Sequence, residues 1–97
     1  YGQWRTYFEL WRFNFLDNNL DEAKKYSKKL INLQPEYPQT YIACLALEEN
    51  KKKGIPLKRK LMELQPNFSP AMIKNFHTWI RDDQATKLID ALKFHLG

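Results

Sequence analysis

The stretch "LINLQPEYPQTYI" at residues 30–42 returns as a near copy, "LMELQPNFSPAMI", at residues 61–73, so that Leu30, Leu33, Gln34, Pro35 and Ile42 recur 31 positions later as Leu61, Leu64, Gln65, Pro66 and Ile73. Each copy sets leucines at helical spacing, then Gln-Pro, then a second proline. The residue before a proline is pushed away from helical dihedrals, so helices are expected to end at Pro35 and Pro66. The second proline suits a first helical turn, where its missing N–H is not needed, so Pro38 and Pro70 are expected to start the next helices. Punctuation repeated at a fixed interval predicts equivalent joints between stacked helical units, each too small to bury its own apolar face.

Outward from these joints the chain reads as about six helices and no strand. Upstream, Trp4, Tyr7, Phe8, Trp11 and Phe15 fall in a sector of about 100° on a helix over 4–16. Leu10, Phe13 and Leu16 lie outside that sector, as expected for a helix held between neighbours. Asp17-Asn18-Asn19 interrupts it, asparagine being tolerant of a left-handed helix end. Asn19 or Asp21 is expected to cap a second helix running to about Leu33, with Leu20, Ala23, Tyr26, Leu30 and Leu33 buried and four lysines outside. Between the joints, a helix over about Pro38–Asn50 is expected to be closed by Lys51–Lys53 and Gly54, where lysines favour the helix dipole. Pro56 then opens a short fourth helix through Leu57, Leu61, Met62 and Leu64. Ser69-Pro70 opens a fifth through Met72, Ile73 and Phe76, and Asp82 or Asp83 caps a sixth through Leu88, Ile89, Ala91, Leu92 and Leu96.

A length of 97 residues, 43% of them hydrophobic, supports one modest core and hence one domain. The apolar runs are only a few residues long, far short of the roughly 20 that a membrane-spanning helix needs. One cysteine, Cys44, provides neither a disulfide nor a thiolate pair for zinc. The chain is therefore expected to be soluble and cytoplasmic, without membrane contact, and to be a fragment of something longer. Sixteen basic against eleven acidic residues give a net charge of +5. The excess is spread: residues 1–34 carry six basic and four acidic side chains, 35–65 again six and four, and 66–97 four and three.

In the first unit Tyr7 and Leu10 stand at opening positions, Asn18 at a turn, Asp21-Glu22-Ala23 early in the second helix, and Leu30, Leu33 and Pro35 at its end. This pattern resembles the tetratricopeptide repeat, a motif of about 34 residues forming one helical pair. Trp11, Asn14 and Ser27 depart from it where the family has a small residue, a tyrosine and an aromatic. The resemblance implies an all-α superhelix of helical hairpins, with repeat 1 at 1–35, a degenerate repeat 2 at 36–66, and a partial repeat 3 with a capping helix at 67–97. The tail "TWIRDDQATKLIDALKFHLG" resembles the ending of the tetratricopeptide regions of some bacterial class III adenylate cyclases and related regulators. That likeness implies a regulatory C-terminal part of a larger signalling protein.

The resemblance further implies a protein-interaction module, in which the first helix of each pair lines a concave groove for a peptide or partner helix. Carried over, the groove positions are Arg5, Phe8, Arg12 and Phe15, then Gln39, Ile42 and Ala46, then Ile73 and His77. Two arginines beside aromatic rings would suit an acidic partner; the plainer reading makes them the wet edge of a packed helix. Trp4, Tyr7, Trp11 and Phe13 form an aromatic surface that a missing repeat or a second copy of the chain would cover. The alternative function is nucleic-acid binding by "KKKGIPLKRK" at 51–60, with six positive charges in ten residues; the plainer reading is a solvated face. His77 and His95 lack a second ligand at helical spacing, Asp82 and Asp83 point apart on a helix, and Cys44 sits in an apolar run as a core residue. No metal, cofactor or enzymatic activity is expected, there being no converging set of catalytic groups.

Overall fold

Three helices beginning 31 residues apart organise the chain. In the computed structural model, which describes residues 2–73 and 82–96, they are α2 (Leu20–Leu33), α4 (Lys51–Leu64) and α5 (Asp82–Leu96). Two further helices, α1 (Gly2–Leu16) and α3 (Pro38–Leu47), lead into α2 and α4 through links at 17–19 and 48–50. The fold is all-helical, with no strand among the described residues.

The common register is visible in what each helix buries. Its fourth position is small, Ala23, Gly54 or Ala85, and in each case buried; its eleventh is Leu30, Leu61 or Leu92, each 0% exposed. Residues seven apart lie on one helix face. The small one allows a neighbouring backbone to approach and the leucine fills the space two turns on.

The two Gln-Pro corners have the same shape. Gln34 takes φ −141°, ψ 75° and donates its backbone N–H to Leu30 O at 2.9 Å. Gln65 takes φ −146°, ψ 78° and donates to Leu61 O at 2.8 Å. Two residues beyond each proline, Tyr37 N–H reaches Gln34 O at 3.3 Å and Phe68 N–H reaches Gln65 O at 3.1 Å. The corners then diverge. Pro38 opens α3, whereas Pro70 opens a 3₁₀ turn over Pro70–Met72. The expected continuation of a fifth helix through Phe76 lies outside the described residues.

The largest correction concerns the middle of the chain. Helix α3 stops at Leu47, and Lys51–Lys53 with Gly54 do not close it; they form the first turn of α4. Asn50 caps that turn, its Oδ1 accepting from Lys52 N at 2.9 Å and Lys53 N at 3.2 Å. Pro56 lies inside α4 and does not open it. The N–H it lacks would have met the carbonyl of Lys52, on an exposed first-turn residue where water can serve instead. Gly54 is required for space: a Cβ there would lie 2.4 Å from His95 Nδ1. The second unit's shortfall therefore falls in its first helix, α3, with 10 residues against 15 in α1, while α2 and α4 are both 14 long.

Helix α3 is the centre of the core, burying Thr40, Tyr41, Ile42, Ala43, Leu45 and Leu47. It packs against α1, α2, α4 and α5, and α5 also rests on α4 and the 3₁₀ turn. The resulting body is nearly equidimensional, 29 × 26 × 24 Å, with a radius of gyration of 12.2 Å. That is close to the roughly 12–13 Å of a compact chain of this length. Leu33, expected inside, is 37% exposed at the last turn of α2.

Candidate functional site

The first helices α1 and α3 carry most of the positions assigned to a binding groove, and the structure divides those positions into two groups. Phe8, Phe15, Ile42 and Ile73 are buried in the core. Arg5 is exposed, and Arg12, Gln39 and Ala46 are half-buried. His77 lies outside the described residues. The chain's own packing thus takes up the apolar floor, and of the remaining described groove positions only Arg5 is exposed.

The aromatic residues of α1 find partners within the chain. Trp4 stacks on Phe8 with centroids 5.1 Å apart, meets Tyr37 edge-on at 5.3 Å, and donates its indole N–H to Thr40 Oγ1 at 3.0 Å. Tyr7 stacks on Tyr26 at 5.9 Å, and Trp11 on Phe15 at 5.2 Å. Trp11 is 1% exposed, Trp4 and Tyr7 are half-buried, and Phe13 alone of the four stands out, at 62%. Of the aromatic surface expected to need a missing repeat or a second copy, Phe13 remains largely open, Trp4 and Tyr7 remain open in part, and Trp11 is covered by the chain itself.

The two arginines differ in their surroundings. Arg12 Nη2 meets Glu9 Oε2 at 2.6 Å and its guanidinium lies 4.9 Å from the Phe13 ring centroid, beside a shallow hollow that Asn14, Leu16 and Asp17 help to line. Arg5, one helical turn from the start of α1, faces water. Gln39 is the second residue of α3, and the residues next to this pair in sequence, Trp4 and Thr40, are hydrogen-bonded to each other.

A contact that sequence reasoning did not single out closes the far end of the same face. Lys87 of α5 sends its ammonium group to Phe15 O at 2.8 Å, Leu16 O at 3.3 Å and Asn18 Oδ1 at 2.7 Å, 5.0 Å from the Phe15 ring centroid. A cation on the last carbonyls of a helix is favoured by charge and by hydrogen bonding. Asn18 takes φ 61°, as expected of it at the turn, which brings its amide oxygen to the same place. No local signal in the sequence links positions 70 residues apart.

The remaining candidates have structural settings. His95 Nε2 lies 2.6 Å from Glu48 O; since a carbonyl only accepts, that nitrogen carries the proton. Cys44 donates to Ser27 O at 3.7 Å, and burial pushes its thiol up to about 12, away from nucleophilic chemistry at neutral pH. Burial, with nearby Cys44, Glu36 and Glu63, also raises Tyr41, whose hydroxyl donates to Pro35 O at 2.5 Å. Asp82 and Asp83 are the first two residues of α5. Among the described residues no group of three metal-ligating side chains occurs, and no helix is long and apolar enough to cross a membrane.

The basic cluster at 51–60 lies along the outer side of α4. Lys51, Lys52, Lys53, Lys58 and Arg59 are exposed, and Lys60 lies 3.8 Å from Glu63. The expected dipole advantage for the first three is reversed, because they occupy the positive end of α4 and not the negative end of α3. No family model, curated protein or solved structure matches the chain.

Proposed function

We propose that this chain is a protein-interaction scaffold of tetratricopeptide-like helical pairs, which docks a peptide or partner helix along the water-facing edge of its first helices, near Arg5 and Gln39. What supports the reading above all is the shared 31-residue register of α2, α4 and α5, with matching small and leucine positions and matching Gln-Pro corners. Stacked identical pairs present their first helices side by side, and such surfaces serve peptides in arrays of this kind. Arg5, which is exposed, and Gln39, half-buried, are polar groups that would favour a partner bearing carboxylates. The likeness of the tail to endings found in cyclase-associated arrays favours a regulatory setting within a larger protein.

Panning a peptide-display library against the folded chain tests this. Enrichment of an acidic motif whose affinity drops about tenfold on Arg5→Ala, or about 1.4 kcal/mol, is the expected result. Absence of any enriched family, or enrichment indifferent to both Arg5→Ala and Gln39→Ala, defeats the proposal.

A further inference from the structure

Helices α2 and α4 are equivalent in length, in register and in the corner that ends each, and both carry lysines outside, yet their first turns are opposite in charge. The first turn of α2 begins Leu20-Asp21-Glu22, with its acids at the positive end of the dipole; α4 begins Lys51-Lys52-Lys53. Glu48 and Glu49 lie just ahead of this turn, where Glu48 Oε1 accepts from Asn50 N–H at 3.0 Å. Among the described residues no carboxylate lies within 4.0 Å of Lys51, Lys52, Lys53, Lys58 or Arg59. The exposed Lys24 of α2 is replaced at the matching place in α4 by Ile55, an apolar residue left 51% exposed among cations. Phe94 of α5, 45% exposed, continues the patch: Lys51 Nζ lies 5.2 Å from its ring centroid, and Lys51 and Ile55 are one turn apart on the same helix face.

We propose that the outer face of α4, together with Phe94, docks peripherally on the surface of an anionic lipid bilayer. The four cations that share the face of Ile55, Lys51, Lys52, Lys58 and Arg59, meet the headgroup phosphates and carboxylates, while Ile55 and Phe94 enter the boundary between headgroups and acyl chains. Of the polyanionic partners, the bilayer gives a role to the cations, to Phe94 and to the aliphatic Ile55 together. A nucleic-acid backbone answers the lysines and leaves Ile55 and Phe94 unanswered. Protein interfaces, in turn, are depleted of lysine. Such docking needs no spanning helix, so the short apolar runs of the chain do not oppose it. This surface is separate from the one assigned to a peptide partner, and either assignment can fail alone.

Co-sedimentation with vesicles of phosphatidylcholine, with and without phosphatidylserine, tests the assignment. The wild-type chain is expected to bind only the anionic vesicles, and about tenfold more weakly as salt rises to physiological strength. Lys52→Glu with Arg59→Glu should abolish binding. Ile55→Ser with Phe94→Ser leaves the net charge unchanged and should weaken it severalfold, while circular dichroism confirms that both variants keep their helices. Failure of the wild type to bind anionic vesicles at low salt overturns the proposal. So does binding that ignores the Ile55 and Phe94 changes, or that is matched by equal binding to duplex DNA or RNA, since either shows a general attraction for polyanions.

Discussion

Thr40 shows how much one buried hydroxyl does here. It is fully buried, accepts from the Trp4 indole, and donates to Gln34 O at 3.1 Å, so it ties α1 and the first Gln-Pro corner to α3. Thr40→Val keeps the shape and strands both partners, and should lower the stability measured by urea unfolding by about 1–3 kcal/mol. Cys44 leads to a pH prediction. Its folded-state thiol, raised to about 12, keeps its proton where the unfolded chain begins to lose one, so its contribution is complete below the ordinary thiol range of about 8.5. That contribution disappears as pH climbs toward 12. The alkaline fall in stability should be shallower in Cys44→Ala, and at pH 8 a thiol reagent should label the wild type slowly unless urea is present. Neither bond of Thr40 could be read from its residue type, because both partners arrive through tertiary packing.

Helix α4 is where sequence reasoning and structure part company. Lysines, then glycine, then proline are ordinary closing signals, and each has another cause here. Asn50 supplies a cap that outweighs them, Gly54 makes room for the His95 ring, and Pro56 loses one bond on the wet side of an early turn. Gly54→Ala follows: propensity alone predicts a gain of about 0.8–1.0 kcal/mol. Contact with the imidazole should instead yield a net loss of about 1–3 kcal/mol in thermal or urea unfolding. His95→Ala should restore much of it in the double variant. Elsewhere local rules served better. The corners at Pro35 and Pro66, the left-handed Asn18, and the buried Leu88, Ile89 and Leu92 of α5 were all legible, because proline stereochemistry and helical spacing act over a few residues.

At the scale of the molecule, the helical class was legible but the way the last helix returns to the first was not. The floor expected to lie open, at Phe15, Ile42 and Ile73, is internal because α3 is enclosed by α1, α2, α4 and α5. Periodicity marks those residues as apolar without saying whether a ligand or another helix of the chain covers them. Lys87→Met tests the return. It removes the cation from the carbonyls of Phe15 and Leu16 while keeping the aliphatic stem, and should cost about 1–2 kcal/mol in urea unfolding. In a linear row of hairpins the terminal members fray on their own, since each touches only its neighbours. Here Lys87 ties α5 to the C-terminal end of α1, so that end of α1 and the first half of α5 are held to each other as well as to their chain neighbours. Amide protons near the C-terminal end of α1 should therefore exchange in step with those around Lys87, and the Lys87→Met change should uncouple the two rates.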